Sequence, residues 1–182
     1  MNSLTLDLGF ESYAPAIAAN TKKGVSDFLG KGLAIQEPWT YTGQFQLGKS
    51  GNSPWGGVDS VDGTVYAIFQ RDSSIEQEIT NLVPGSVYVV NWSQRGRQNY
   101  GSVNDIHISL DGSNVYSQSS VPKGPREAKS SAQFNANSVS ALLKIWSTNP
   151  GGGDRTVFID AISVNKVKVQ GSFLSFISRS QL

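Results

Sequence analysis

From Ser60 onward the chain is built of short alternating runs parted by turn dipeptides, and in a strand such alternation sends successive side chains to opposite faces. Residues 64–70 follow the turn pair Asp62-Gly63, and residues 74–80 place Ile75, Gln77 and Ile79 on one face with Glu76 and Glu78 opposite. Val83-Pro84-Gly85-Ser86 has the Pro-then-Gly chemistry of a type II turn. It opens a strand in which Tyr88, Val90 and Trp92 alternate with Val89, Asn91, Ser93 and Arg95, which makes the first three the core set. Residues 104–110 alternate most strictly: Ile106, Ile108 and Leu110 against Asp105, His107 and Ser109, closing at Asp111-Gly112. Two more strands, 140–148 and 155–164, flank the glycine-rich loop 149–154; Leu143 and Ile145 share one face there, Lys144 and Trp146 the other.

Residues 13–38 are less regular, and 25–29 read equally as a short helix or a long crossover loop. Beyond Val164 the tail carries Val167, Val169, Phe173, Leu174, Phe176 and Ile177. It is too apolar to sit in water, so it is either an edge strand of its own domain or a docking tail for a partner. The organisation expected is one β-sandwich over 1–165 with an extension over 166–182.

Composition narrows the function classes. A chain of 182 residues with 19 glycines and 7 prolines suits short strands joined by turns in a single domain. Lys plus Arg number 15 against 14 for Asp plus Glu, a net charge of +1, so no overall field draws in nucleic acid or an anionic membrane. The absence of cysteine removes disulfides, thiolate metal sites and cysteine nucleophiles. No run is apolar enough for a membrane span, and the first ten residues lack the pattern of a secretory signal.

The order of several motifs resembles the galactose-binding-like jelly-roll modules, above all the carbohydrate-binding modules and related cell-wall and surface-protein domains. The matching pieces are Leu8-Gly9-Phe10-Glu11, Asp62-Gly63-Thr64-Val65-Tyr66-Ala67, the Ile75 to Tyr88 run with its Leu-x-Pro-Gly-x-x-Tyr turn, Phe134-Asn135-Ala136, and the closing strand Val157 to Val164. The resemblance implies an all-β, antiparallel jelly-roll β-sandwich. It also implies a structural Ca²⁺ held by Glu11 of the first strand and Asp160 of the last; the alternative is that Asp160 caps a turn or pairs with a cation. The usual opening Asn-Gly-Gly-Phe-Glu is here Asp7-Leu8-Gly9-Phe10-Glu11.

The candidate binding residues come from parity. Asn91, Ser93, Arg95 and Arg97, then Asp105, His107 and Ser109, then Lys144 and Trp146 lie opposite the core set on three strands. Were those strands in one sheet, the face would offer an indole for the C–H surface of a pyranose and polar groups for its hydroxyls. The competing reading is the ordinary solvated face of an antiparallel sheet. Trp55, between Pro54 and Gly56-Gly57, either presents itself at a loop tip or plugs the sandwich end, whereas Trp39 and Trp92 belong in the core. Arg95, Arg97 and Tyr100 form a small basic loop able to grip an acidic sugar, a sulfate or a phosphate, though two arginines are too few for a nucleic-acid surface.

Nucleophile elbows, zinc-protease helices and phosphate loops are all missing, and His107 is the one histidine. The function expected is therefore non-catalytic glycan or glycoprotein binding, at an extracellular or surface location. The alternative is a structural protein of a larger assembly, such as a capsid (virion) or surface-layer component docked through its tail.

Overall fold

The computed structural model describes residues 5–15, 27–28, 38–51, 59–98 and 104–168, and within them eleven strands pair antiparallel throughout. In chain order these are β1 (Thr5–Asp7), β2 (Asp27–Phe28), β3 (Thr40–Lys49), β4 (Val65–Ile79), β5 (Val87–Gly96), β6 (Asp105–Leu110), β7 (Ser113–Gln118), β8 (Glu127–Ser130), β9 (Phe134–Asn135), β10 (Ala141–Thr148) and β11 (Thr156–Lys166). A single 3₁₀ turn, Glu11–Tyr13, follows β1. The undecided segment 25–29 contributes β2, which pairs with Gln46 and Leu47 of β3. The rest of that segment, Trp55, Tyr100 and the tail from 169 onward lie outside the described residues.

The expected jelly roll is present, but its two sheets are one sheet folded over. Residues 64–70 and 74–80, separate in the alternation pattern, form the single strand β4, and β3 accompanies it from Val65 to Glu76. The pair bends where Arg71 takes φ 54° and Gly43 φ 69°, with a register shift between Gly43 and Gln44. A bulge of this kind is how a strand passes from one layer of a sandwich to the other. Before the bend β4 pairs with β11 and after it with β10, which yields two layers: β2-β3-β4-β11-β5-β8 (sheet I) and β3-β4-β10-β6-β7 (sheet II). The bend frees the Arg71 carbonyl, which accepts hydrogen bonds from Asn104 Nδ2 (2.8 Å) and Ser147 Oγ (2.5 Å). Buried carbonyls need such partners.

The core lies between the layers. Sheet I contributes Phe45, Leu47, Val65, Phe69, Tyr88, Val90, Trp92, Val157 and Ile159; sheet II contributes Ile75, Ile79, Ile106, Ile108, Leu110, Leu143 and Ile145. The parity reading of Ile75, Ile79, Tyr88, Val90, Trp92, Ile106, Ile108, Leu110, Leu143 and Ile145 is met, as is the burial of Trp39. The expected turns form as well: Gly85 has φ 77° with Ser86 N–H bonded to the Val83 carbonyl, and Asp111 and Gly112 both take positive φ. At the open side the layers meet through β5 and β7. Trp92 packs edge-on against Tyr116 at 4.6 Å, and the buried Gln94 donates to Gln118 Oε1 (2.6 Å) while accepting from Trp92 Nε1 (2.8 Å).

The bend sets a stability test. A Cβ at Gly43 would sit 2.2 Å from the Asp72 carbonyl oxygen, whereas one at Gly85, also at positive φ, meets nothing within 4 Å. Gly43→Ala is expected to cost about 2 kcal/mol or more in urea unfolding, and Gly85→Ala only about 1 kcal/mol, the conformational part alone. Equal costs would remove the assigned role of the bend.

Candidate functional site

The folded sheet separates the residues that parity grouped together. Asp105, His107, Lys144 and Trp146 stand on β6 and β10 and face outward from sheet II, while Asn91 and Arg95 belong to β5 in sheet I, with Arg97 just past its end, on the far side of the core. The expectation of one shared face is thus corrected. Its condition, that the three strands share one sheet, fails because β4 and β11 stand between β10 and β5 and the sheet folds over at β4.

On sheet II the predicted residues do converge. Trp146 and His107 are cross-strand partners whose rings stack at 5.1 Å and 23°. Both are partly exposed. The imidazole is fixed at both nitrogens, Nδ1 to Ser117 Oγ (2.9 Å) and Nε2 to Thr148 Oγ1 (3.2 Å), so it underlies the indole as a rigid plate. On the other side of Trp146 lies its partner Ser74, hydrogen-bonded to Thr42 at 2.8 Å, and these small side chains leave the indole uncrowded. Two residues along β10, Lys144 pairs with Glu76 at 2.5 Å. A surface pair of this kind adds little stability, so its donors and acceptors are available to a ligand. Asp105 stands apart, bonded to the Ser120 amide.

The outer face of sheet I is built differently. Tyr66, Ile68 and Phe158 form a second apolar cluster there, fully buried, with Tyr66 and Phe158 edge-to-face at 5.6 Å. Beside it a polar chain runs from Gln46 Nε2 to Gln70 Oε1 (3.1 Å), from Gln70 Nε2 to Asp154 Oδ1 (2.5 Å), and from Arg97 Nη1 to Asp154 Oδ2 (3.2 Å). Arg97, read as a ligand contact, is instead 7% exposed and ion-paired. Around β5 and β8 a groove of about 540 Å³ is lined by Asn91, Ser93, Arg126, Ser130 and Ala161 among others. Asn91 and Ser130 share a hydrogen bond across it. The alternation pattern missed Arg126, because β8 beside it is four residues of Glu-Ala-Lys-Ser, too short and too polar to register as a strand.

The two carboxylates proposed as calcium ligands are engaged by donors. Asp160 Oδ2 accepts from Ser60 Oγ (3.1 Å) and from the amides of Val61 (2.5 Å) and Asp62 (3.3 Å), and Oδ1 accepts from its neighbour's amide, Ala161 N, at 2.8 Å. Glu11 Oε1 accepts from the amides of Thr64 (2.8 Å) and Val65 (2.7 Å), and Oε2 from Thr64 Oγ1 (3.1 Å). Four N–H dipoles of the loop 61–65 point at these oxygens, which suits anions and repels a cation. This donor set does not fit Ca²⁺. Among the described residues no cluster of three or more His, Asp or Glu side chains offers another metal site. Asp160 and Glu11 instead clamp one loop from both sides, a charge-assisted arrangement stronger than neutral bonding.

The fold is shared with proteins of known structure. The CBM22-1 xylan-binding domain of Paenibacillus barcinonensis Xyn10C aligns at TM-score 0.53 and 14% identity over 74% of this chain and 88% of that one. The CBM22-1-GH10 modules of Clostridium thermocellum Xyn10B, complexed with xylohexaose, align at TM-score 0.51 and 14% identity over 74% and 27%. A cyclase from Fischerella sp. TAU aligns at TM-score 0.54 and 12% identity over 92% and 100%. No protein-family model and no curated protein matches the chain. The antiparallel jelly-roll β-sandwich is therefore the architecture here, and since binding modules and a cyclase share it, the chemistry must be argued from side chains.

The clamp yields a second test. Asp160→Ala strands three loop donors and is expected to lower stability by about 3 kcal/mol. EDTA is expected to leave the melting temperature of the wild type where it was. A clear drop with EDTA, reversed by added calcium, would return Asp160 and Glu11 to the role of metal ligands.

Proposed function

We propose that this protein is a non-catalytic carbohydrate-binding module that receives a neutral glycan on the outer face of sheet II. The observation that carries this reading is the stacked Trp146–His107 pair, fixed across two strands and partly open to solvent. A rigid π surface accepts the axial C–H groups of a pyranose with little loss of side-chain entropy. Lys144, two residues along β10, with Glu76 on β4 and Thr42 on β3, supplies donors and acceptors on the same face, where ring hydroxyls would fall.

Two observations speak for binding over catalysis. Both nitrogens of His107 are taken up by hydroxyls, so the ring serves as scaffold for the indole. Glu76, on β4 two residues from the Trp146 partner Ser74, is paired with Lys144. The Paenibacillus domain of this shape is xylan-binding and the Clostridium modules are complexed with xylohexaose, which makes xylan and its oligosaccharides the first ligands to try. A module of this kind works at a surface or outside the cell. No helix among the described residues is long and apolar enough to cross a membrane. The assembly reading rested on the tail over 166–182, and only its first three residues are described.

A neutral glycan array followed by calorimetry decides the matter. Wild type is expected to bind at least one neutral oligosaccharide, and Trp146→Ala to weaken it about tenfold or more, the equivalent of one aromatic contact. Because Trp146 faces away from the core, the variant should melt close to wild type. Absence of binding to every glycan, or equal binding by Trp146→Ala, would overturn the reading.

A further inference from the structure

The groove on the outer face of sheet I carries an arginine whose surroundings are incomplete. Arg126 lies one residue before β8, with its guanidinium 5.2 Å from the centroid of the Tyr66 ring and its Nε donating to the Asp59 carbonyl at 2.9 Å. Both terminal nitrogens, Nη1 and Nη2, are buried and have no hydrogen-bond acceptor among the described residues. The same holds for Nε of Arg95, the neighbouring guanidinium. A buried cationic fork with two unused edges is an unfavourable arrangement unless an acceptor arrives.

The charges around the fork do not supply that acceptor. Asp160 is the carboxylate whose charge Arg126 feels most, yet its two oxygens are occupied by Ser60, Val61, Asp62 and Ala161. Asp59 offers Arg126 its carbonyl. Lys129 and Glu127 on β8 cancel each other at 2.8 Å, and Arg95 adds a second positive charge. Burial pushes the Arg126 guanidinium below its ordinary range, the direction an added anion would reverse. Next to the fork the groove, about 540 Å³ and room for a small ligand, has mainly apolar walls that include Val61, Ala128 and Ala161, with Asn91, Ser93 and Ser130 as its polar points.

We propose that this groove is a second binding site, specific for a carboxylate-bearing sugar such as a uronic-acid unit. The carboxylate seats in the Nη1/Nη2 fork of Arg126, whose planar geometry matches it in bidentate fashion. Arg95 adds charge from the next strand, and Asn91, Ser93 and Ser130 address the ring hydroxyls. The site stands on the opposite layer from Trp146 and does not depend on the neutral-glycan platform.

The test is calorimetry and thermal shift on the full chain with sodium glucuronate, oligogalacturonate, glucose and sodium sulfate. Saturable uronate binding with a raised melting temperature, and none with glucose, is expected. Arg126→Gln should weaken uronate binding about tenfold or more, and Arg126→Lys, which keeps the charge and loses the fork, should weaken it nearly as much. Trp146→Ala should bind uronate as wild type does, which separates this site from the first. Should Arg126→Gln fail to fold, Ser130→Asp places a repelling charge in the groove from an exposed strand position and should abolish binding. No saturable uronate binding by wild type, or undiminished binding by Arg126→Lys and Ser130→Asp, would overturn the proposal. Sulfate competing as strongly as glucuronate would overturn the carboxylate specificity.

Discussion

Everything in this protein depends on a paired strand that changes layer. β3 and β4 remain hydrogen-bonded through the bend at Gly43 and Arg71, so one ladder belongs to both sheets and fixes their relative position. A non-glycine residue at positive φ is tolerated there because Asn104 and Ser147 hold the displaced Arg71 carbonyl and Asp72 Oδ1 accepts the Asn149 amide. Strands from three distant parts of the chain are thereby tied to one corner. The buried Gln94 network performs the matching task on the open side, since sliding one layer past the other would leave its amide unpaired in the core.

From that corner follow two unlike outer surfaces. Sheet II presents small and polar residues around an aromatic stack, and its Lys144–Glu76 ion pair is partly solvated. Sheet I carries a buried apolar cluster, a chain of glutamines ending in an ion pair, and a cationic fork beside a groove. The first surface suits contact with an uncharged flat molecule, the second with a charged one held at a defined point. One sandwich thus offers two recognition chemistries on opposite layers, and its core need not differ for either.

Much of the fold was legible because the signal is local. Ile106, Ile108 and Leu110, or Tyr88, Val90 and Trp92, announce their face by alternation, and Pro84-Gly85 and Asp111-Gly112 announce their turns by the φ values they require. Which strands are neighbours is a long-range property that alternation does not encode. Hence Asn91 and Trp146, both correctly read as facing away from the core, were grouped on one face when they stand on two. Parity also failed to distinguish a covered outer face from a wet one: Ser93 and Arg97 are as buried as core residues. The family motifs singled out Glu11 and Asp160 as calcium ligands and gave no sign of the loop amides between them, because hydrogen-bond donors of the backbone leave no trace in residue identity.

The place of β11 has a consequence for how the protein is made. This strand lies at the centre of sheet I, paired to β4 and β1 along one edge and to β5 along the other, yet it is the last of the eleven to leave the ribosome. Until residues 156–166 emerge, one edge each of β4 and β5 is exposed, with Val65, Ala67 and Phe69 on the first and Tyr88, Val90 and Trp92 on the second. Unpaired edges of that kind recruit other chains. Yield in a fast-translating host should therefore be limited by the lifetime of this half-built sheet more than by the stability of the finished one, and nascent chains stalled before Thr156 are the species for chaperones to shield.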